Sequence, residues 1–277
     1  MDEKNAIERE NEIEAAETPA LIKRHKECGD AVFIAMEMGE MILRSGGEVS
    51  RAEDTVSRIC TAYGAVTVDV TAILSVIVLT VDFGDVSLNS SRRLKDIGGT
   101  NLGRLSKLND LSRRICRRRP SKQVFLTELE RINRESEVTW LKYLVGGVLA
   151  ASGFAVFFGG HLADALFAGI IALPMCVFAR LLAKTKINAI VAKILVCFFG
   201  GFSAMLVGKC GVPCNVSMIM IGDIMNVVPG VLLANSFRDL FSGDIMSGFF
   251  RMCTALLDGV AIACGYAIAI LMLGGAV

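Results

Sequence analysis

The apolar stretch 213–236 contains one charged residue, Asp223, followed by Asn226 and then by Pro229-Gly230. A charge at membrane depth is costly, so such a residue is a functional candidate by default. Proline deletes a backbone donor and glycine loosens the turn. A helix broken at that depth exposes polar backbone that must face protein or water. Transporters bind ions and small polar solutes at such breaks. The competing reading is a kinked packing helix whose acid is satisfied by Asn226. A second lone acid, Asp258, lies in the stretch 250–275. It faces Asp223, or pairs with Lys193 or Lys142. A carboxylate in low dielectric takes up a proton more readily than in water, which suits proton-coupled transport. A structural ion pair is the alternative. Two membrane carboxylates sharing a proton would also suit an intramembrane aspartyl protease. That enzyme's G-x-G-D pattern is absent, because Met220 stands at the first glycine position before Gly222-Asp223.

Between these two stretches the chain is dense in charge: Arg238, Asp239, Asp244 and Arg251. Charge pairing of Arg238 and Asp239 would lock a cytoplasmic gate, or these residues cap helix ends at the interface. A carboxylate-bearing solute would need a half-helix N-terminus or a buried cation. The turn after Pro229-Gly230, with Lys193, is the candidate.

The elements that position these residues follow from composition. The 277 residues are 53% hydrophobic, with a net charge of +1 and a mean hydropathy of +0.54. Charge is uneven. Residues 1–139 hold 21 of the 29 basic and 23 of the 28 acidic residues, leaving 8 and 5 for the rest. A soluble globule does not divide itself this way, and a membrane protein with an N-terminal soluble domain does. Neither disorder nor nucleic-acid binding by bulk charge fits. A span needs about 20 apolar residues, and five such stretches are predicted at about 141–160, 164–182, 188–208, 213–236 and 250–275. Arg180, Lys184 and Lys186 follow the second, and Arg238 and Arg251 follow the fourth. The positive-inside rule puts both loops and the N-terminal domain in the cytoplasm and the C-terminus outside. Recurrent glycines, among them Gly146, Gly147, Gly200, Gly201 and Gly265, suit close helix packing in lipid. The nine cysteines include no CxxC pair, and the two histidines stand apart, so no metal site and no cofactor are expected. Cys210 and Cys214 are either free or a disulfide on an oxidising side.

Residues 1–24 read as a disordered acidic lead without a signal peptide's basic and apolar regions. Residues 25–138 read as a cytoplasmic α/β domain, ahead of the transmembrane domain 139–277. A helix runs from about Cys28 to Arg44 and stops at Gly46-Gly47. Ser50 and Glu53 have capping-box spacing for the next helix. Val66–Val81 reads as two strands meeting near Ala72, with a third at Val86–Asn89. Helices start near Asn101 and near Ser121, separated by Pro120. The run Arg113, Arg114, Arg117, Arg118, Arg119 touches anionic lipid or forms a solvated face. No phosphate-binding glycine motif is present, so ATP-driven transport by this chain is not expected.

Two blocks carry a family resemblance. Pro229-Gly230, Asn235, Arg238-Asp239, Gly243-Asp244 and Ser247-Gly248 resemble the motif after the fourth span of the threonine/serine exporters. Ser45-Gly46-Gly47-Glu48-Val49-Ser50-Arg51-Ala52-Glu53-Asp54, with Gly47, Glu48, Arg51 and Glu53 its singled-out residues, resembles that family's first cytoplasmic motif. The resemblance covers about residues 25–275. It implies a non-enzymatic, multi-pass plasma-membrane exporter of threonine and serine, driven by the proton gradient. Full-length members have about ten spans, so a chain of five resembles the split form. There a large subunit works with a separately encoded hydrophobic partner of about 150 residues. Some split systems export succinate, which is the alternative substrate. Membrane lipid is the other expected partner, and a homo-oligomer is open.

Overall fold

The computed structural model describes residues 2–73, 75–94, 99–135 and 138–274, with 2–20 and 274 described by backbone alone. The chain is mostly helical and divides into two compact units. The first comprises residues 1–137 and 235–248, and the second 138–234 and 249–277.

In the first unit, α1 (Asp2–Arg44) and α2 (Val49–Ala62) precede the strands β1 (Thr67–Ile73), β2 (Val76–Asp82) and β3 (Ser87–Arg93). Two further helices follow, α3 (Leu102–Arg118) and α4 (Lys122–Glu135). The strands form one antiparallel sheet in the order β1-β2-β3, with Val70 opposite Leu79 and Leu79 opposite Ser90. β2 is central and alternates, burying Ile77, Leu79 and Val81. These residues join Ile34, Met38, Val56, Ile59, Leu108, Ile115 and Phe125 in one core.

Several expectations are corrected here. The strands of this unit amount to one short antiparallel sheet among helices, so the α/β domain expected for residues 25–138 is not evident. The first two strands meet beside Ala72 as expected, β1 ending at Ile73, while β3 runs on to Arg93. α1 begins at Asp2, so its backbone takes in the segment expected as a disordered lead. That segment is rich in Glu and Ala, which favour helix without any apolar periodicity. The predicted stop holds: Gly46 has φ +81°, and the amides of Gly46 and Gly47 return to Leu43 O and Ile42 O. Asn101 caps α3 by accepting from the Arg104 amide at 2.9 Å. The predicted capping box of α2 does not form. The helix starts at Val49 with Glu48 as its N-cap, and Glu53 bonds elsewhere.

Among its described residues the second unit holds four helices long and apolar enough to cross a membrane. They are α5 (Trp140–Phe157), α6 (Leu162–Leu182), α7 (Ala189–Lys209) and α10 (Ile245–Gly274, from Phe249 on in this unit). Between α7 and α10 the chain forms a bent pair, α8 (Val216–Met225) and α9 (Gly230–Phe241), set at 55°. The pair gives a fifth crossing if it is read as one broken span. The predicted end at 275 lies outside the described residues. All nine cysteines are free, Cys210 and Cys214 included.

Small residues set the helix spacing. A Cβ on Gly222 of α8 would stand 2.5 Å from Ala151 O of α5, and one on Gly265 of α10 would stand 2.6 Å from Ile194 O of α7. Both obstacles are backbone, which cannot swing aside. Gly259, on the same helix as Gly265, has open space around it. Gly265→Ala is expected to destabilise the full-length protein by about 1–3 kcal/mol, while Gly259→Ala leaves its thermal midpoint unchanged. Equal midpoints for the two variants would contradict this packing.

Candidate functional site

Two acids are fully buried in the second unit, and they are treated differently. Asp164, in the first turn of α6, accepts from the His161 amide at 2.8 Å and the Asn215 amide at 2.6 Å. Each oxygen has a partner, and the acid ties the start of α6 to the start of α8. Asp223, in the last turns of α8, has neither. Both of its oxygens are buried without a hydrogen-bond partner among the described residues. It lies within electrostatic reach of Cys176 on α6 and Tyr266 on α10. The Tyr266 hydroxyl is likewise buried and without a hydrogen-bond partner among the described residues. Buried polar groups are normally bonded, and an exception in a native fold calls for an explanation such as a ligand or a catalytic role.

Beside Asp223 the segment breaks as predicted. α8 ends at Met225, Pro229 lies in the gap, and α9 starts at Gly230. Asn226 does not satisfy Asp223. It is exposed and donates to Gly147 O of α5 at 3.1 Å. The expected Asp–Asn pair is therefore corrected: past the end of α8, Asn226 reaches a neighbouring helix instead. Asp258 chooses among its expected partners: Lys193 Nζ stands 2.6 Å from its Oδ2. Lys193 is thus engaged and is not the free cation expected to receive a solute carboxylate. The protease reading finds no support: among the described residues Asp223 hydrogen-bonds to no carboxylate, and Asp258 pairs with a lysine.

A cavity of about 280 Å³ opens between α5, α6, α7 and the helix break. Lys142, Tyr143, Met175, Cys176, Val196 and Asn226 help line it. Its walls are mostly apolar with few polar groups, which is the usual make-up of a small-molecule site. Cys176 lines the cavity and lies within electrostatic reach of Asp223. Pro174, directly before the lining residues Met175 and Cys176, leaves α6 short of a backbone donor there. Near the cavity Arg180 lies over the rings of Trp140 and Tyr143, at 5.0 and 5.9 Å. Sequence reasoning singled out neither Tyr266 nor Cys176. A lone tyrosine in the apolar run after Met252 is the signal that could have flagged Tyr266.

The charged segment 235–248 belongs to the first unit, where it meets the other motif. Asn235 Nδ2 donates to Gly46 O at 2.9 Å, and Arg238 Nη1 donates to Glu48 Oε1 at 2.6 Å. Gly47 fits there because a Cβ would strike Ile42 and Leu105. Arg51 is exposed. Glu53 Oε1 accepts from the Ala72 amide at 2.7 Å. Arg238 therefore pairs across to Glu48. Asp239 and Arg251 are buried, and Asp244 lies within electrostatic reach of Glu53.

Residues 33–273 match the family model of the threonine/serine exporters, ThrE. The chain belongs to this family. No curated protein and no solved structure matches it. The match spans both units, so the N-terminal motif, the broken segment and the 235–248 segment are all parts of one exporter-family chain. ThrE membership and the apolar helices make this a multi-pass membrane protein of a transporter family.

Within the first unit of this family member, burial raises the Glu53 carboxyl above its ordinary value. The Ala72 amide opposes the rise and the like charge of Asp244 adds to it. The folded chain thus holds this proton more tightly than the unfolded one. The stability it contributes is complete below the ordinary glutamate range and is lost as pH climbs through the raised value. Glu53→Gln is expected to flatten that part of the pH dependence of the thermal midpoint. An unaltered slope would assign the dependence to other groups.

Proposed function

We propose that this exporter moves threonine and serine outward through the cavity beside the α8–α9 break, driven by the proton gradient, with Asp223 as the coupling carboxylate. The observation that carries the reading is the contrast between Asp164 and Asp223. Both acids are buried in the same helical unit, and only the one at the break is left without a hydrogen-bond partner among the described residues. An unpaired charge in low dielectric is costly, so it takes a proton or meets a cation. A group that gains and loses a proton beside a solute cavity is what coupling requires.

The cavity lies near the basic and aromatic end of α5 and α6, marked by Lys142, Tyr143 and Arg180. Trp, Tyr and basic residues favour the membrane interface, and basic loops favour the cytoplasm. This reading puts the cavity mouth on the cytoplasmic side, where an exporter collects its solute, and the C-terminus outside. Lys142 supplies a cation for the solute's carboxylate. Arg238–Glu48 and Asn235–Gly46 hold the segment after the break against the N-terminal motif, as a cytoplasmic latch with Asp239, Asp244 and Arg251 around it. A small hydrophobic partner subunit completes the pathway. Succinate is the second reading, because Lys142 would serve a dicarboxylate equally well.

The test is efflux from proteoliposomes loaded with labelled threonine, serine or succinate under an imposed proton gradient. The full-length chain is reconstituted with and without the partner. Threonine efflux that needs the partner, and that falls about tenfold or more with Asp223→Asn, is the expected outcome. Efflux undiminished by that substitution would remove Asp223 from coupling.

A further inference from the structure

Strand β3 is an edge of the sheet, and among the described residues no strand pairs with its outer side. The ends of the ladder fix which of its backbone groups β2 uses. Leu94 N donates to Ser75 O at 2.8 Å, and Phe83 N donates to Val86 O at 2.9 Å. Bonded and non-bonded pairs alternate in an antiparallel ladder, so in this register Leu88, Ser90 and Arg92 spend their backbone groups on β2. The amides and carbonyls of Ser87, Asn89, Ser91 and Arg93 therefore point away from the sheet. These four residues are also the exposed ones of the strand.

An open edge accepts another strand, and proteins block edges with proline, lysine, a bulge or an inward-pointing charge. β3 holds no proline and no lysine, and its pairing with β2 runs from Ser87 to Arg93 without a bulge. Its inward charge, Arg92, is already neutralised by Glu37 and Glu40 of α1, at 2.5 and 2.9 Å. The charge around the edge is polarised. Asp82 and Asp85 flank the turn into β3, and Arg93 stands exposed at the other end.

We propose that β3 pairs antiparallel with β3 of a second copy of this chain, about a two-fold axis at Ser90, joining the two sheets into one. Ser87 of one copy then stands opposite Arg93 of the other, and Asn89 opposite Ser91. Every edge-facing backbone group finds a partner, in about eight hydrogen bonds. A two-fold interface needs a surface complementary to itself, and the charges of this strand supply one. Ser87 Oγ donates to Asp82 Oδ1 at 3.0 Å. A guanidinium arriving opposite Ser87 thus finds an acid one strand spacing further in, about 4.8 Å. Symmetry gives the same contact at both ends. Parallel pairing would instead set Arg93 against Arg93, and like charges directly opposite are destabilising. The inference concerns the first unit alone and holds whatever solute the second unit carries.

The experiment is oxidative cross-linking of the full-length chain in membranes, with the linked species identified by mass spectrometry. At the axis the two Ser90 residues form a non-hydrogen-bonded pair, with Cα atoms about 4.5 Å apart, inside the range a disulfide spans. Asn89 lies diagonal to its own copy, at about 7–8 Å, which is outside it. Ser90→Cys is expected to give a linked dimer above the level of the parent, whose native cysteines set the baseline. Coexpressed Asn89→Cys and Ser91→Cys chains are expected to link to each other, while Asn89→Cys alone stays at baseline. Adding Asn89→Pro to Ser90→Cys removes an edge donor from each copy and leaves the β2 ladder intact. It is expected to lower the yield about tenfold with an unchanged thermal midpoint. Three results would overturn the pairing: baseline yield from both Ser90→Cys and the coexpressed pair, Asn89→Cys linking to itself as strongly as Ser90→Cys does, or Ser90→Cys linked to a different protein.

Discussion

A carboxylate shut away from water must meet a positive partner, a set of donors, or a proton. Asp164 meets donors, the amides of His161 and Asn215. Asp258 meets Lys193. Asp223 meets neither a cation nor a donor among the described residues, which leaves the proton. The surroundings hold it in that state. Gly222 lets α8 lie against the backbone of α5, and Gly200 and Gly201 let the ring of Tyr266 lie on α7. Packing this close excludes the water that would otherwise solvate the acid. The helix break follows within one turn, so the unmet charge and the interrupted backbone fall in the same short segment.

The first unit contributes a second constraint. Segment 235–248 is separated from the N-terminal motif by almost the whole helical unit in sequence, yet it docks on that motif through Asn235 and Arg238. The backbone of the motif is fixed by its own chemistry. Gly46 takes a left-handed conformation that other residues adopt at a cost. The carbonyl that Asn235 reaches is therefore presented by a turn, and the carboxylate that Arg238 reaches caps α2. Two blocks that look unrelated along the chain are halves of one contact.

Much of this was legible in the residues. Asp223, Pro229 and Gly230 stand out because charge and broken backbone are both expensive at membrane depth. Gly46-Gly47 and Asn101 announce helix ends because capping is local chemistry. What was not legible depends on distant partners. The Ser50–Glu53 spacing suits a capping box, but the Ala72 amide on β1 competes for Glu53 and wins. Lys193 has the right charge for a solute, but Asp258 takes it. The start of α1 was missed because Glu and Ala favour a helix that has no apolar face to reveal it. Tyr266 and Cys176 matter through what surrounds them, and no spacing rule reports that.

The central claim is that the acid at the break couples proton movement to solute movement. Counting the protons released when threonine binds tests it most directly, using an indicator dye in weakly buffered nanodiscs of the full-length chain. The account predicts about one proton per threonine bound near neutral pH, absent in Asp223→Asn. Threonine bound with no proton released would contradict it.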